Sequence, residues 1–380
     1  MKRLTDFQLY CMLILLVMPV AFLKAPKRLI IILYQNAWIA PLLAVVPGIL
    51  IIFLYACLIK KSKNPFPLMF EEYLGKPLNK ILCFFYIIVF ILAASFSLRF
   101  FVDFMVTNVL PATPISILIA LLLLAGLVSI KTGLTSLARI AEIIVPTGML
   151  FTAIILLLAF QQNTDPENLL PFAYFEYQNL GQGIFFASFV FGKMMPVLTF
   201  AYFLRKKEQA ARIASMVLFA YIVIISLTTV AVIILFGVQS SIILTFPTFT
   251  TVSIIQIGDF VQNLDIVFIG IWILGIFGTI TIPWFMACYT AQYVFGLRDY
   301  RFLAAPSSVI IGVGCILISQ NIWELTRLYE QVVPMVYLAF FVFIPFLLFL
   351  IALFKPDPEI DARGNPAGNN PEEDCGQFSE

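Results

Sequence analysis

Long apolar runs alternate with short polar stretches along almost the whole chain. A helix needs about 20 apolar residues to cross about 30 Å of hydrocarbon. Runs of that kind predict ten spans, near residues 7–33, 37–59, 81–104, 114–131, 140–160, 183–204, 213–237, 265–291, 303–319 and 332–354. The first and the eighth are so long that we expect a break or a tilt in each. The pattern therefore predicts an all-α integral membrane protein with ten transmembrane helices.

The sixth span carries a charge and two helix breakers near its midpoint. Gly192, Lys193 and Pro196 interrupt an apolar run that ends at Arg205. An unpaired ammonium or a free backbone amide in hydrocarbon costs several kcal/mol, so such residues face protein or a water-filled cavity. We therefore predict that span 6 is a broken helix that lines a site.

Ten spans divide into two halves of five, and an odd number of spans per half gives the halves opposite topology. We expect inverted repeats at about 7–160 and 183–354, with spans 1 and 6 as their first helices. Pro19 interrupts span 1 as Gly192 and Pro196 interrupt span 6. Paired breaks indicate a midplane binding site, because unwound backbone offers amides, carbonyls and helix dipoles. The alternative is a pair of helices that only kink, which membranes tolerate.

Composition excludes several classes of function. Hydrophobic residues make up 62% of the chain and charged residues 12%, and there is no histidine. The lack of histidine excludes His-based acid–base catalysis, Ser-His and Cys-His nucleophile pairs, and His-ligated metals. We expect no catalytic residues, no metal, no cofactor and no nucleic-acid partner. The lipid bilayer is the expected surrounding of residues 1–355.

The distribution of basic residues predicts the orientation in the membrane. If the N-terminus is cytoplasmic, most of the 23 lysines and arginines lie on the cytoplasmic side. The positive-inside rule then predicts that both termini are cytoplasmic. Residues 356–380 are rich in Pro, Gly, Asn and acidic residues, and we expect a polar, disordered cytoplasmic tail there.

Four stretches of the chain together resemble a known family. They are residues 22–29 at the end of span 1, residues 67–76 in the second loop, Phe191-Gly192 followed by Arg205-Lys206-Lys207, and residues 257–260 continuing through Asp265, Phe268 and Trp272. In this order and spacing they resemble the endospore germination permeases, the B subunits of Ger-type germinant receptors. That family belongs to the amino acid/polyamine/organocation transporter superfamily. The resemblance covers residues 4–354.

The resemblance implies a LeuT-like fold with broken helices 1 and 6, in a three-subunit receptor of the spore inner membrane. The B subunit would bind a small nutrient such as an amino acid and trigger germination, with the A and C subunits as partners. Two departures imply an altered ligand. The family often has a Gly-x-Gly-like run where this chain has Pro19-Val20-Ala21, and Met194, beside Lys193, replaces a common glutamate.

The predicted ligand-binding residues come from the two expected breaks. They are Pro19, Val20 and Ala21 in span 1 and Phe189, Gly192, Lys193 and Met194 in span 6. For Lys193 four roles stay open: a partner for a ligand carboxylate, a fixed cation in place of sodium, a salt bridge to another helix, or a side chain that snorkels into an aqueous vestibule.

Two other groups of charges have simpler interpretations. Lys24, Lys27 and Arg28 lie near the end of span 1, where a solvated vestibule edge or a subunit contact is favoured over ligand binding. Arg99 and Asp103 are four residues apart, so on a helix they share a face and neutralise each other. We expect the pair of Arg99 and Asp103 to stabilise span 3.

Three classes of function follow. The matching stretches favour a nutrient-sensing receptor subunit, and the same paired breaks would serve a stand-alone amino acid transporter. A membrane enzyme is least favoured, since short loops without histidine or an acidic cluster leave few groups for chemistry.

Overall fold

The computed structural model describes residues 3–162, 164–171, 177–255 and 264–354. Within these residues ten helices are long and apolar enough to cross a membrane. They are, as spans 1 to 10, Asp6–Asn36, Ile39–Lys61, Lys76–Asn108, Ile115–Thr132, Leu134–Ala159, Tyr177–Phe203, Gln209–Ile243, Leu264–Phe295, Tyr300–Ile318 and Ile322–Phe354. The predicted all-α membrane class is confirmed. The predicted tail at 356–380 and the family-like stretch 257–260 lie outside the described residues.

Spans 1 and 6 form the interior of the bundle. Each is buried over 89% of its most apolar stretch, whereas spans 4, 5, 9 and 10 are buried over only 28%. The outer spans therefore present large apolar surfaces. Such surfaces suit hydrocarbon, because only helices that satisfy their own backbone hydrogen bonds are stable there.

Span 1 is an uninterrupted helix, so the predicted break at Pro19 is wrong. The helix Asp6–Leu33 passes through Pro19 without an unwound stretch. A proline has no N–H, which leaves the carbonyl four residues earlier, that of Leu15, without its helical donor. The Thr279 hydroxyl of span 8 donates to this carbonyl at 2.6 Å, and Trp272 Nε1 donates to the Pro19 carbonyl at 2.9 Å. Span 8 thus satisfies the backbone that the proline leaves unbonded.

Span 6 is broken, as predicted. An α-helix, Tyr177–Ser188, gives way to a 3₁₀ turn, Phe189–Met194, and a short α-helical turn, Val197–Phe200, follows. Gly192 lies inside the 3₁₀ turn, where its flexible backbone weakens the α-helix, and Pro196 directly precedes the last turn. The break places Lys193 in the protein interior.

Glycines allow span 8 to lie close against span 1. A Cβ atom at Gly278 would lie 2.6 Å from Leu15 Cδ1 and 2.7 Å from Leu15 Cβ, and one at Gly275 would lie 3.3 Å from Pro19 Cγ. A Cβ at Gly270 would meet nothing within 4 Å. Span 8 itself, Leu264–Phe295, is one continuous helix, so of the two expected alternatives it has no break, and the tilt stays a prediction.

Arg99 and Asp103 pair inside the bundle, as their spacing predicts. Arg99 Nε lies 3.0 Å from Asp103 Oδ1, and both side chains are buried. The two opposite charges neutralise each other within span 3.

Candidate functional site

A small cavity lies where the break of span 6 meets spans 1, 3, 8 and 10. We name it the central cavity; in this conformation it has room for about one water molecule, so a larger ligand requires the surrounding spans to move apart. Its lining consists of Leu16, Phe90, Ala93, Ser97, Lys193, Pro196, Thr279, Pro283, Tyr337 and Phe341. Most of the wall is apolar, and four side chains bring polar groups to it. The lining resembles that of a small-molecule site in its chemistry, because a few polar groups stand in an apolar wall.

Lys193 is the charged group of the central cavity. Its side chain is only 8% exposed, and its Nζ lies 5.5 Å from the centre of the Tyr337 ring. In the described part of the chain it has no hydrogen-bond or ion-pair partner. A salt bridge to another described helix is therefore not its role. A buried ammonium is costly without an anion, so the cavity favours a negatively charged group beside Lys193.

The hydroxyl groups of the central cavity have spare acceptor capacity. Ser97 donates to the Ala93 carbonyl at 2.9 Å, and Thr279 donates to the Leu15 carbonyl at 2.6 Å. Each hydroxyl oxygen keeps lone pairs that accept hydrogen bonds. Beside the Lys193 ammonium group, the central cavity therefore offers hydrogen-bond acceptors and the face of an aromatic ring.

One tyrosine hydroxyl holds the 3₁₀ turn that carries Lys193 against span 10. The Tyr55 hydroxyl of span 2 donates to the Phe341 carbonyl at 2.5 Å and shares the same proton with the Gly192 carbonyl at 3.3 Å. Phe341 belongs to a π-helical segment of span 10, Leu338–Phe343, and such segments are frequent at functional sites. One buried phenol thus joins spans 2, 6 and 10 beside the central cavity.

The structure does not bring the seven predicted ligand-binding residues into one pocket. Lys193 lines the central cavity, and Phe189 packs beside it against Tyr337, with ring centroids 6.3 Å apart. Gly192 faces span 10, where a Cβ would lie 3.5 Å from Phe341 Cβ. The assignment of these residues to a ligand stays a prediction.

The span 1 residues lie elsewhere, because this helix does not unwind. Pro19 lines a second, apolar cavity between spans 1, 5, 7 and 8, which is larger than the central cavity. Val20, Ala21 and Met194 are buried in the core and line neither this cavity nor the central one. The second cavity is lined by no charged side chain, so it suits hydrocarbon better than a zwitterion.

Sequence reasoning missed the other polar groups of the central cavity. Ser97, Thr279 and Tyr337 are isolated hydroxyl residues in the apolar spans 3, 8 and 10. A hydroxyl residue in a long apolar run stands out in the sequence. The sequence does not indicate which face of the span it occupies, because these runs are apolar on every side.

Comparison with known proteins identifies the family. The family model described as "Spore germination protein" matches residues 3–323. This chain belongs to that family. Spore germination protein KB of Bacillus subtilis (strain 168) is 26% identical over 370 residues, which cover 96% of this chain and 98% of that protein. Spore germination protein A2 of the same organism is 25% identical, covering 81% of this chain and 84% of that protein.

A solved structure has the same fold. Mhp1, a nucleobase-cation-symport-1 family transporter in a closed conformation with bromovinylhydantoin bound, aligns with a TM-score of 0.64 at 12% sequence identity. The alignment covers 92% of this chain and 78% of that chain. The predicted LeuT-like transporter fold is confirmed, and both family and fold are those of permeases rather than enzymes. The boundaries of the two inverted repeats stay a prediction.

Proposed function

We propose that this protein is the B subunit of a spore germinant receptor and that it recognises an amino acid in the central cavity. The observation that carries the proposal is Lys193, a buried ammonium with no anionic partner in the described residues, at the break of span 6. In a chain of the spore germination protein family, a ligand carboxylate supplies the negative charge that pairs with the Lys193 ammonium group.

Binding becomes a signal if the ligand favours one conformation of the receptor. A ligand shifts an equilibrium only by its differential affinity for the two states. Neutralisation of Lys193 stabilises a conformation in which spans 6 and 10 close around the ligand, since a closed cavity excludes the water that would otherwise solvate the ammonium. The A and C subunits then read that conformation in the spore inner membrane, and both termini of this chain face the cytoplasm.

A stand-alone amino acid transporter is the second candidate. The discontinuous span 6 and the transporter fold favour it. Receptor and transporter bind the same class of ligand, so the central cavity does not separate them.

Germination and uptake, measured in parallel, separate the two functions. Spores of a strain that lacks this gene are exposed to single amino acids and sugars, and uptake of labelled amino acids is measured in growing cells. We expect the loss of the response to one nutrient with normal uptake, and restored germination when the gene is returned. Normal germination with lost uptake would establish the transporter instead.

A further inference from the structure

A second group of charges surrounds a pocket at the end of span 1 that is far from its N-terminus. Lys24, Lys27 and Arg28 meet Glu330 of span 10 around a small pocket. The side chains of Thr245, Ile322, Trp323, Thr326 and Tyr329 complete the wall. We name this the basic pocket. It shares no lining residue with the central cavity.

The basic pocket has more positive than negative charge. Arg28 Nη1 pairs with Glu330 Oε2 at 2.9 Å, which balances these two groups. Lys24 Nζ donates to the Thr326 hydroxyl at 2.8 Å, and Lys27 Nζ donates to the Leu244 carbonyl at 2.6 Å. Both lysines therefore have neutral hydrogen-bond partners. Within the described residues, no carboxylate other than that of Glu330 lines the pocket.

Two observations argue against a merely solvated edge. Lys24 is only 5% exposed, and its Nζ lies 4.9 Å from the centre of the Phe246 ring. Water therefore solvates its ammonium group less than it would at a surface. Arg28 Nε is buried and has no partner among the described residues. The nearby carboxylate of Asp103 pairs with Arg99 through Oδ1 and does not line the basic pocket. Among the described residues, an unused donor and two ammonium groups without an ion-pair partner thus lie around one pocket.

We propose that the basic pocket is a binding site for a carboxylate, held by Lys24, Lys27 and Arg28. Arginine and lysine donors form their strongest hydrogen bonds with anions, and a guanidinium matches the planar carboxylate fork. Glu330 disfavours a multiply charged phosphate, because it keeps one negative charge in the pocket. The ring of Trp323, which is 75% exposed, provides an apolar surface for the rest of the ligand.

One aromatic layer separates the basic pocket from the central cavity. Tyr329, a wall of the basic pocket, contacts Phe189 at a centroid distance of 5.9 Å, and Phe189 contacts Tyr337 at 6.3 Å. Tyr337 in turn lies beneath Lys193. The basic pocket is therefore an entry site for a ligand that moves on to Lys193. This entry role rests on the proposed function, whereas carboxylate binding in the basic pocket does not.

The fluorescence of Trp323 reports on the basic pocket. The full chain in nanodiscs of zwitterionic lipid is titrated with sodium propionate, with its neutral isostere propionamide and with inorganic phosphate. The Trp323→Phe variant identifies the part of the signal that comes from this residue. We expect propionate to change the Trp323 fluorescence saturably, and propionamide and phosphate to leave it unchanged. Anionic lipid in the nanodisc should not abolish the effect of propionate.

Charge variants assign the signal to the pocket. Lys27→Gln removes one partly buried cation, and we expect propionate affinity to fall about tenfold, as for a lost charge-assisted hydrogen bond. Glu330→Gln removes the competing carboxylate and is expected to raise the affinity. Arg327→Gln is the matched control, because Arg327 is an exposed cation on the same helix that hydrogen-bonds Gln331.

The proposal is overturned if propionamide binds as well as propionate, or if Lys27→Gln and Arg327→Gln have equal effects. Stronger binding of phosphate, or competition by anionic lipid, would assign the pocket to phosphate groups and also overturn it. A different experiment tests the proposed function, so that function can fail while carboxylate binding in the basic pocket holds. If Lys193→Met spores respond normally while the propionate titration persists, the basic pocket stands without the central site.

Discussion

At the scale of single residues, the central question is what neutralises Lys193. Its ammonium group is buried beside a tyrosine ring, which attracts a cation weakly compared with an anion. Two hydroxyl oxygens of the central cavity, those of Ser97 and Thr279, are acceptors but carry no charge. Among the described residues the site therefore lacks a negative charge, and our proposal is that a ligand carboxylate supplies it.

Replacing Lys193 with methionine keeps most of the unbranched side chain and removes its charge. We expect the nutrient concentration for half-maximal germination to rise at least about tenfold, the loss expected for one charge-assisted hydrogen bond. The amount of protein is expected to stay normal, since a neutral side chain is easier to bury than an unpaired ammonium. Dose–response curves of germination and immunoblots of spore membranes measure the two quantities.

Met195→Leu is the control for this substitution. Met195 is a fully buried neighbour that lines neither the central cavity nor the basic pocket. A Lys193→Met protein that disappears from the membrane would indicate a structural lysine. An unchanged dose–response curve at normal abundance would remove Lys193 from the ligand site.

At the scale of elements, spans 1 and 8 depend on each other. Pro19 leaves the Leu15 carbonyl without a helical donor, and Thr279 supplies the missing hydrogen bond from span 8. Gly275 and Gly278 allow the two helices to come close enough for that bond. A proline in one helix thus requires a hydroxyl and two small residues in another.

Thr279→Val should destabilise the protein, because the Leu15 carbonyl would be buried without a donor. We expect a loss of about 1–3 kcal/mol, the usual cost of an unsatisfied buried group, seen as a lower midpoint of thermal unfolding. Thr281→Val is the matched control on the same helix. The Thr281 hydroxyl bonds only the Phe277 carbonyl within its own helix, so its loss should cost less. Equal shifts for the two variants would contradict the bridging role.

Gly278→Ala tests the close contact between the two spans. The new Cβ would overlap Leu15 Cβ, which cannot move without moving the backbone of span 1. Overpacking of this kind costs about 1–3 kcal/mol, so we expect less folded protein by size-exclusion chromatography and a lower unfolding midpoint. Gly270→Ala lies on the same span with open space around it and should be neutral. The idea fails if both alanine variants behave alike.

At the scale of the whole molecule, the direction of insertion decides which cavity a nutrient reaches first. The excess of Lys and Arg on one side predicts cytoplasmic termini. The basic pocket, at the opposite end of span 1 from the N-terminus, then faces outward and receives the ligand before the central cavity does.

Reporter fusions measure this orientation. Alkaline phosphatase fused after residue 354 should be inactive, because the enzyme matures only outside the cytoplasm, and a fluorescent protein at the same point should fluoresce. Alkaline phosphatase inserted between spans 5 and 6, near residue 165, should be active. The opposite pattern would invert the molecule and place the basic pocket on the cytoplasmic side.

Local features of the sequence were enough to predict the ten spans, the family and the break of span 6. Apolar length decides what crosses a membrane, and Gly192 and Pro196 act on the helix that contains them. The pair of Arg99 and Asp103 was equally predictable, since helical spacing alone places the two side chains on one face.

Only the tertiary structure decided what the other polar groups do. Pro19 was expected to unwind span 1, but a hydroxyl 264 residues from Leu15 in the sequence restores the hydrogen bonding there. The hydroxyls of the central cavity and the approach of Glu330 to the lysines of span 1 also depend on distant helices. In spans that are apolar all round, no periodicity marks the buried face, so the partners of a polar side chain are set by packing.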